Sequence, residues 1–411
     1  MILRTLRLGF AVVLFSCLVS ACGGRGSSAP PPAGGITVVP GDGQVTVTWT
    51  PDPGVDYWLF YAPTSSISTT TLSSTPGHRG VINVTSPYVL TGLTNGVTYS
   101  FTMDGRISGG PGGPGTPSVS AIPRPAGTTW LAGGTMGATD MHGIAYGTAS
   151  NAIAYYLSVG NGGAMYQSTD GVSWTVIPGG IAANLNAALY ALGKFMTVGA
   201  AGNIFYSSDT LTWTASTSGT TQNLNAVATN GAFAVAVGDS GTIQYSTDGV
   251  TWYPAVSVPT GNNLYGISYS SSGLWVAVGA GGTLVTSSDG TNWSLGTSGT
   301  AVDLKSVAFR AATTTYPASY AAVGLGGLVL TSSDGISWTS QTLSPASNLL
   351  AIVPTASQFL AVGTGGAAFT SPDGIAWTSQ TTGSSSTFFG LVNAQAQYVA
   401  VGLGGTSIYS R

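Results

Sequence analysis

The side chains equipped for chemistry are few. The chain has 411 residues and thirteen acidic side chains, all of them Asp; there is no Glu. Six of these Asp recur in one repeated phrase described below. That leaves Asp140, Asp239 and Asp303 in the last two-thirds of the chain. Two of them could serve as an acid/base pair on a glycosidic bond, which needs two carboxylates. The only histidines are His78 and His142, and neither sits in a nucleophile frame or at metal-ligand spacing. Arg310 is the one internal Arg beyond Trp130. No cofactor motif is present, and the sequence implies neither cofactor nor metal. A formal charge of −3 gives no basic footprint for nucleic acid. Charged residues make up only 6% of the chain, so Gly, Ser and Thr must carry its solubility.

The elements that must position these groups are written in a repeat. Ser168-Thr-Asp170-Gly171-Val-Ser-Trp174 recurs with its Asp at 209, 248, 289, 334 and 373, and its Trp at 213, 252, 293, 338 and 377. The Trp spacings are 39, 39, 41, 45 and 39. A period of about 40 residues fits a four-stranded unit repeated around an axis. Within one copy, Asn230-Gly231 and Asp248-Gly249 mark tight hairpins. Val-Gly ends the second strand seven times, with Val at 159, 198, 237, 278, 323, 362 and 401. The seventh copy stops one strand short at Arg411, while Thr128-Thr-Trp130-Leu stands unpaired before the first. The economical arrangement is a seven-bladed β-propeller over 128–411, with Trp130 in a strand that completes the last blade. Closure removes exposed sheet edges.

The phrase resembles the Asp-box (BNR) repeat of sialidase-like propellers. In that family a residue separates Asp from Gly; here Gly follows Asp directly, as in propellers of the photosystem II assembly-factor type. The resemblance implies a structural box, with the Asp holding its turn and the Trp covering the strands. It does not carry sialidase chemistry, since that family's Arg clamp and Glu cannot be built from these residues.

Residues 36–124 alternate as half-buried strands do, for example over Gln44-Val-Thr-Val-Thr-Trp49. Leu93-Thr-Asn-Gly96-Val-Thr-Tyr99 resembles a tyrosine corner. With Trp49 it resembles a fibronectin type III domain, which implies a β-sandwich used as spacer or weak adhesion module. Pro123 to Gly127 reads as the linker. Residues 1–21 read as an export signal, with Arg4 and Arg7 ahead of an apolar run. Leu18-Val-Ser-Ala21-Cys22 resembles a bacterial lipobox, which implies lipidation of Cys22 and, with Gly23 next, the outer membrane. Residues 22–35, rich in Gly, Ser and Pro, read as a tether too poor in apolar side chains to fold.

The expectation is therefore an all-β lipoprotein of the cell envelope, non-catalytic, binding carbohydrate or protein. The alternatives are a glycoside hydrolase or lyase acting on neutral polysaccharide, and an assembly factor for a membrane complex. The face opposite the boxes is the expected ligand face. Asp239, Tyr265, Asp303 and Lys305 are its candidates, with Asn184, Asn186, Asn223 and Asn263 nearby.

Overall fold

The computed structural model describes residues 26–125, 127–178, 180–355, 357–394 and 397–410. Cys22 and the leader lie outside these described residues. The chain is all-β and divides into two compact units, one running to Pro125 and the other from Ala126.

In the first unit, Thr37–Gly41, Gln44–Thr48 and Tyr88–Thr91 form one antiparallel sheet. The other sheet runs in the order Ser27–Ala29, Tyr99–Ile107, Asp56–Ala62, Arg79–Val84, with Val119–Ala121 also pairing to Tyr99–Ile107. Val45, Val47, Leu59, Phe101 and Met103 fill the space between the sheets. Trp49 is buried with them, and the Tyr99 hydroxyl accepts from the Thr94 N–H at 3.3 Å.

The tether expectation is corrected here. Ser27–Ala29 is a strand, paired to Gly105–Ile107. An edge strand is held by main-chain hydrogen bonds, which every residue except Pro supplies, so a lack of apolar side chains does not forbid it. The pairing depends on close approach: a Cβ on Gly26 would lie 2.3 Å from the Gly110 nitrogen.

Among the described residues, the second unit forms seven four-stranded antiparallel sheets. One of them is Leu224–Thr229, Ala234–Gly238, Ile243–Ser246 and Tyr253–Pro254, in that order. Its second strand is buried throughout, as a strand sandwiched between neighbouring sheets must be. The first strand of each sheet packs on the first strand of the next. Phe388–Ala394 of the seventh packs back on Met141–Thr148 of the first, so the succession closes on itself.

The last sheet is completed by Leu131–Ala132, which pairs with Ser407–Ser410. This overlaps the Thr128–Leu131 stretch expected from the sequence only at Leu131, for a physical reason. Gly127 to Trp130 is occupied as part of a seventh box. The Gly127 N–H donates to Ser410 Oγ at 3.2 Å, and Trp130 Nε1 donates to the Gly127 carbonyl at 2.8 Å. The second unit thus begins at Gly127 or earlier rather than at 128. Ser410 supplies the box Ser from one end of the unit, and Gly127 and Trp130 supply its Gly and Trp from the other, with no box Asp.

Six complete boxes repeat one network. In the first, Ser168 Oγ donates to Asp170 Oδ1 at 2.8 Å and accepts from the Gly171 N–H at 2.9 Å. Asp170 Oδ1 also accepts from the N–H groups of Val172 and Ser173 at 2.8 and 2.7 Å. The same set recurs at Asp209, Asp248, Asp289, Asp334 and Asp373. The box Gly has a positive φ, +78° at Gly290, where a Cβ would also lie 2.6 Å from Phe233 of the preceding sheet. Thr210 takes that position in the second box at φ +67°. Its hydroxyl is drawn across to Gln167 of the preceding sheet, a contact no Gly could make. Trp252 and Trp293 are buried, whereas Trp174, Trp213, Trp338 and Trp377 are half-buried.

The box carboxylates are acidified by their donors. The Thr212 N–H leads in holding Asp209 at about 2, and the Thr251 N–H leads for Asp248, also at about 2, against an ordinary 3.8. The Asn292 amide and N–H hold Asp289 well below the usual range. A pKa lowered by folding adds stability wherever the unfolded carboxylate is ionised. That contribution is complete above about pH 5 and vanishes as pH falls from about 4 to about 2. Thermal melts across this window should show Tm falling as the pH is lowered, and a smaller fall in an Asp209→Asn, Asp248→Asn double variant. A flat Tm would contradict the assignment. Trp293→Ala should cost about 3–5 kcal/mol in denaturant unfolding, more than Trp213→Ala at its half-buried site.

Candidate functional site

The face opposite the boxes is made by the Val-Gly turns and by the starts of the first strands. Two rings of side chains are built there, and both follow from position in the repeat.

The outer ring is a set of latches. The residue just before each first strand is Asp140, Asn184, Asn223, Asn263, Asp303, Asn348 or Thr387. Its carbonyl accepts from the Val-Gly turn of its own sheet, as Asn223 does from the Asp239 N–H at 2.9 Å. Its side chain accepts from the turn of the preceding sheet. Asn184 Oδ1 takes the Gly162 N–H at 2.8 Å, Asn223 that of Ala201 at 2.9 Å, and Asn263 that of Ser240 at 2.9 Å. Asp303 takes Gly281 and Asn348 takes Gly326, each at 2.9 Å. Asp140 takes Gly404 of the seventh sheet at 2.8 Å, which carries the circuit across the closure. Thr387 has no carbonyl or carboxyl oxygen on its side chain, and no such bond forms there.

The inner ring is a set of β-bulges. In every first strand the register slips at the second residue. The slipped residues are His142, Asn186, Asn225, Tyr265, Lys305, Leu350 and Phe389, and all seven are half-buried. A bulge re-aims its side chain out of the regular alternation. The residue after each bulge is small: Gly143, Ala187, Ala226, Gly266, Ser306, Ala351 or Gly390. A Cβ on Gly143 would lie 2.7 Å from the Ala187 Cα, and one on Gly266 would lie 2.8 Å from the Ser306 Cα. Neighbouring first strands therefore touch backbone to backbone at these seams, and bulged side chains of adjoining sheets meet at two of them. Phe389 and His142 lie with ring centroids 4.9 Å apart. Asn186 and Asn225 donate to the carbonyls of Leu224 and Leu264, each at 2.9 Å.

All four of the expected ligand-face residues lie here. Lys305 Nζ is 3.0 Å from Asp303 Oδ2 and 3.8 Å from the centre of the Tyr265 ring. The Gly281 N–H and the Lys305 ammonium hold the Asp303 carboxyl below its usual range. Asn225 Nδ2 donates to Asp239 Oδ1 at 2.8 Å as well as to the Leu264 carbonyl, and so ties Asp239 to this cluster. Asn223 Nδ2 donates to Asp239 Oδ2 at 2.9 Å.

The three spare carboxylates stand on the first, third and fifth sheets and share no hydrogen bond with one another. Asp140 and Asp303 are latches, a role the acid/base reading did not foresee. His142 Nε2 lies 3.0 Å from Asn161 Oδ1. His78, in the first unit, bonds the Thr75 carbonyl through Nδ1 at 2.9 Å. Arg310 sits at the far end of its strand beside a cleft of about 560 Å³. Its guanidinium is buried, with Nη1 and Nη2 donating to the Ala311 and Pro317 carbonyls, and so fastens the loop between them. Burial lowers its pKa, against the opposing pull of Asp373 and Tyr316.

Solved structures resemble this chain. One is YCF48 bound to D1 peptide, 18% identical over 68% of this chain and 94% of that one, with a TM-score of 0.56. YCF48 from Cyanidioschyzon merolae is 14% identical over 69% and 98%, with a TM-score of 0.55. The fold is that of a β-propeller. Virginiamycin B lyase from Staphylococcus aureus shares it, at 11% identity over 69% and 99% with a TM-score of 0.59. No family model and no curated protein matches the chain. At these identities the likeness is one of fold.

The latches give a prediction that runs in both directions. Asn263→Ala should lower stability by about 1 kcal/mol, the usual net worth of one such hydrogen bond. Thr387→Asn should raise it by up to about 1 kcal/mol by supplying the missing acceptor. Denaturant midpoints at unchanged slope check both.

Proposed function

We propose that this protein is a non-catalytic envelope lipoprotein whose seven-bladed Asp-box propeller binds a protein partner through the Val-Gly face. A fibronectin type III spacer would precede the propeller, and Cys22 would anchor the chain to the outer membrane. One observation carries the binding reading. Seven bulged side chains, one from each sheet, converge half-buried on a single ring, while the carboxylates around them are engaged by N–H, amide or ammonium donors. Such a ring offers mixed apolar and polar contact without a poised acid or base. The bond from the Thr94 N–H to the Tyr99 hydroxyl and the buried Trp49 support the spacer. The repeat variant supports a protein partner over a polysaccharide, and so does the likeness in fold to YCF48, which has been solved bound to D1 peptide. The aromatic groups of the ring point the same way. A sugar stacks on a free aromatic face, but the Tyr265 ring carries the Lys305 ammonium and the Phe389 ring is paired with His142.

Surface crosslinking in intact cells, followed by capture of the full chain, tests the role. One or a few envelope proteins should be recovered, and a Tyr265→Ser, Phe389→Ser variant that still folds should lose them. Equal recovery by the variant would move the site elsewhere, and empty recovery across growth conditions would count against the role itself. The anchor has its own test. Wild-type chain should incorporate labelled palmitate and fractionate with membranes, and Cys22→Ala should do neither.

A further inference from the structure

The charge of the Val-Gly face is lopsided. It holds the carboxylates of Asp140, Asp239 and Asp303 but the ammonium of Lys305 alone. Two of these carboxylates are accounted for. Asp303 pairs with Lys305 at 3.0 Å, and Asp140 accepts from the Gly404 N–H as the latch between the seventh and first sheets. Asp239 is different. It is half-buried, its two oxygens accept from the neutral amides of Asn223 and Asn225, and no cation of the described residues pairs with it. It is also the only acidic residue in any Val-Gly turn, although the turn itself closes without a charge in the other six. Across the same ring lie Leu350 and Phe389, half-buried and apolar.

We propose that this ring binds a peptide segment that carries a lysine or arginine together with an aromatic or branched apolar side chain. The cation would sit against Asp239, with Asn223 and Asn225 holding the carboxylate in place. The apolar side chain would cover Leu350 and Phe389. A carboxylate preheld by two amides loses little freedom on pairing, and a partly desolvated pair gains more than an exposed one. The proposal rests on the binding role of this face and specifies its ligand.

The test uses the full chain in detergent and four probes read by fluorescence anisotropy. These are a blocked hexapeptide alternating lysine and phenylalanine, its glutamate-phenylalanine counterpart, a lysine-glycine hexapeptide, and the neutral oligosaccharide cellohexaose. The lysine-phenylalanine peptide should bind at least about tenfold more tightly than any other, a gap of about 1.4 kcal/mol. Its affinity should fall as salt rises from about 0.05 to about 0.5 M, where screening shortens the reach of charge. Asp239→Asn removes the charge and keeps one of the two acceptors for the neighbouring amides, so it should erase the preference in a protein that still folds, with a Tm only slightly lowered. Phe389→Ala should weaken the lysine-phenylalanine peptide and leave the lysine-glycine peptide unaffected. If the glutamate peptide or cellohexaose binds equally well and responds to Phe389→Ala, the ligand assignment is overturned while the binding role stands. If the preference survives Asp239→Asn, the assignment is likewise overturned. If no probe binds and crosslinking also recovers nothing, both fall.

Discussion

The second unit depends on how closely its first strands approach around the axis. At Gly143, Gly266 and Gly390 they approach so closely that a Cβ would strike the neighbouring strand, and the equivalent residues of the other sheets, Ala187, Ala226, Ser306 and Ala351, are all small. That approach has two results. It brings six of the seven Val-Gly turns within reach of the Asn or Asp that precedes the next sheet, so the latches can form. It also leaves no room for regular alternation at the strand start, and a bulge there sends one side chain from each sheet towards the axis. The structural ring and the candidate ligand ring are thus two outcomes of one steric condition.

The two ends of the sheets divide their work. At the box end, the polar groups of each turn are consumed within it: Ser, Asp and three N–H groups satisfy one another six times over. At the Val-Gly end, the backbone is satisfied by residues of the next sheet, which frees the bulged side chains to differ. They do differ, from Lys305 to Phe389, while the small residues that follow them hardly change. Variation at a fixed geometry marks the place where a repeat fold carries individuality.

Much of this was legible in the sequence. The period, the Val-Gly marks and the short last copy fixed the strand order, because hairpin dipeptides and apolar runs act over a few residues. The placing of Asp239, Tyr265, Asp303 and Lys305 on the Val-Gly face was also legible, since they stand at recurrent positions. Three features were not read. The latches were hidden because their bonds run between sheets, over separations such as the 264 residues between Asp140 and Gly404. Asn or Asp ahead of Leu, at 184, 223, 263, 303 and 348, marks five of the six at the repeat period, and Asp140 ahead of Met141 is the sixth. The strand at Ser27–Ala29 was hidden because main-chain pairing leaves no signature in side-chain type. The split box was hidden because its Ser and its Gly-Thr-Thr-Trp130 stand at opposite ends of the unit, joined only by folding.

That split box has a mechanical consequence. Among the described residues, the seventh sheet is where hydrogen bonds rather than covalent continuity join the start of the second unit to its end, and the joining strand, Leu131–Ala132, is two residues long. Tension carried along the polypeptide from the first unit enters the ring at this strand. The load falls first on the Gly127 bond to Ser410, the seating of Trp130 and a short ladder, before any of the other six sheets feels it. The last box therefore serves as a clasp, and the force it bears before opening sets how hard the chain can be pulled while the ring stays shut.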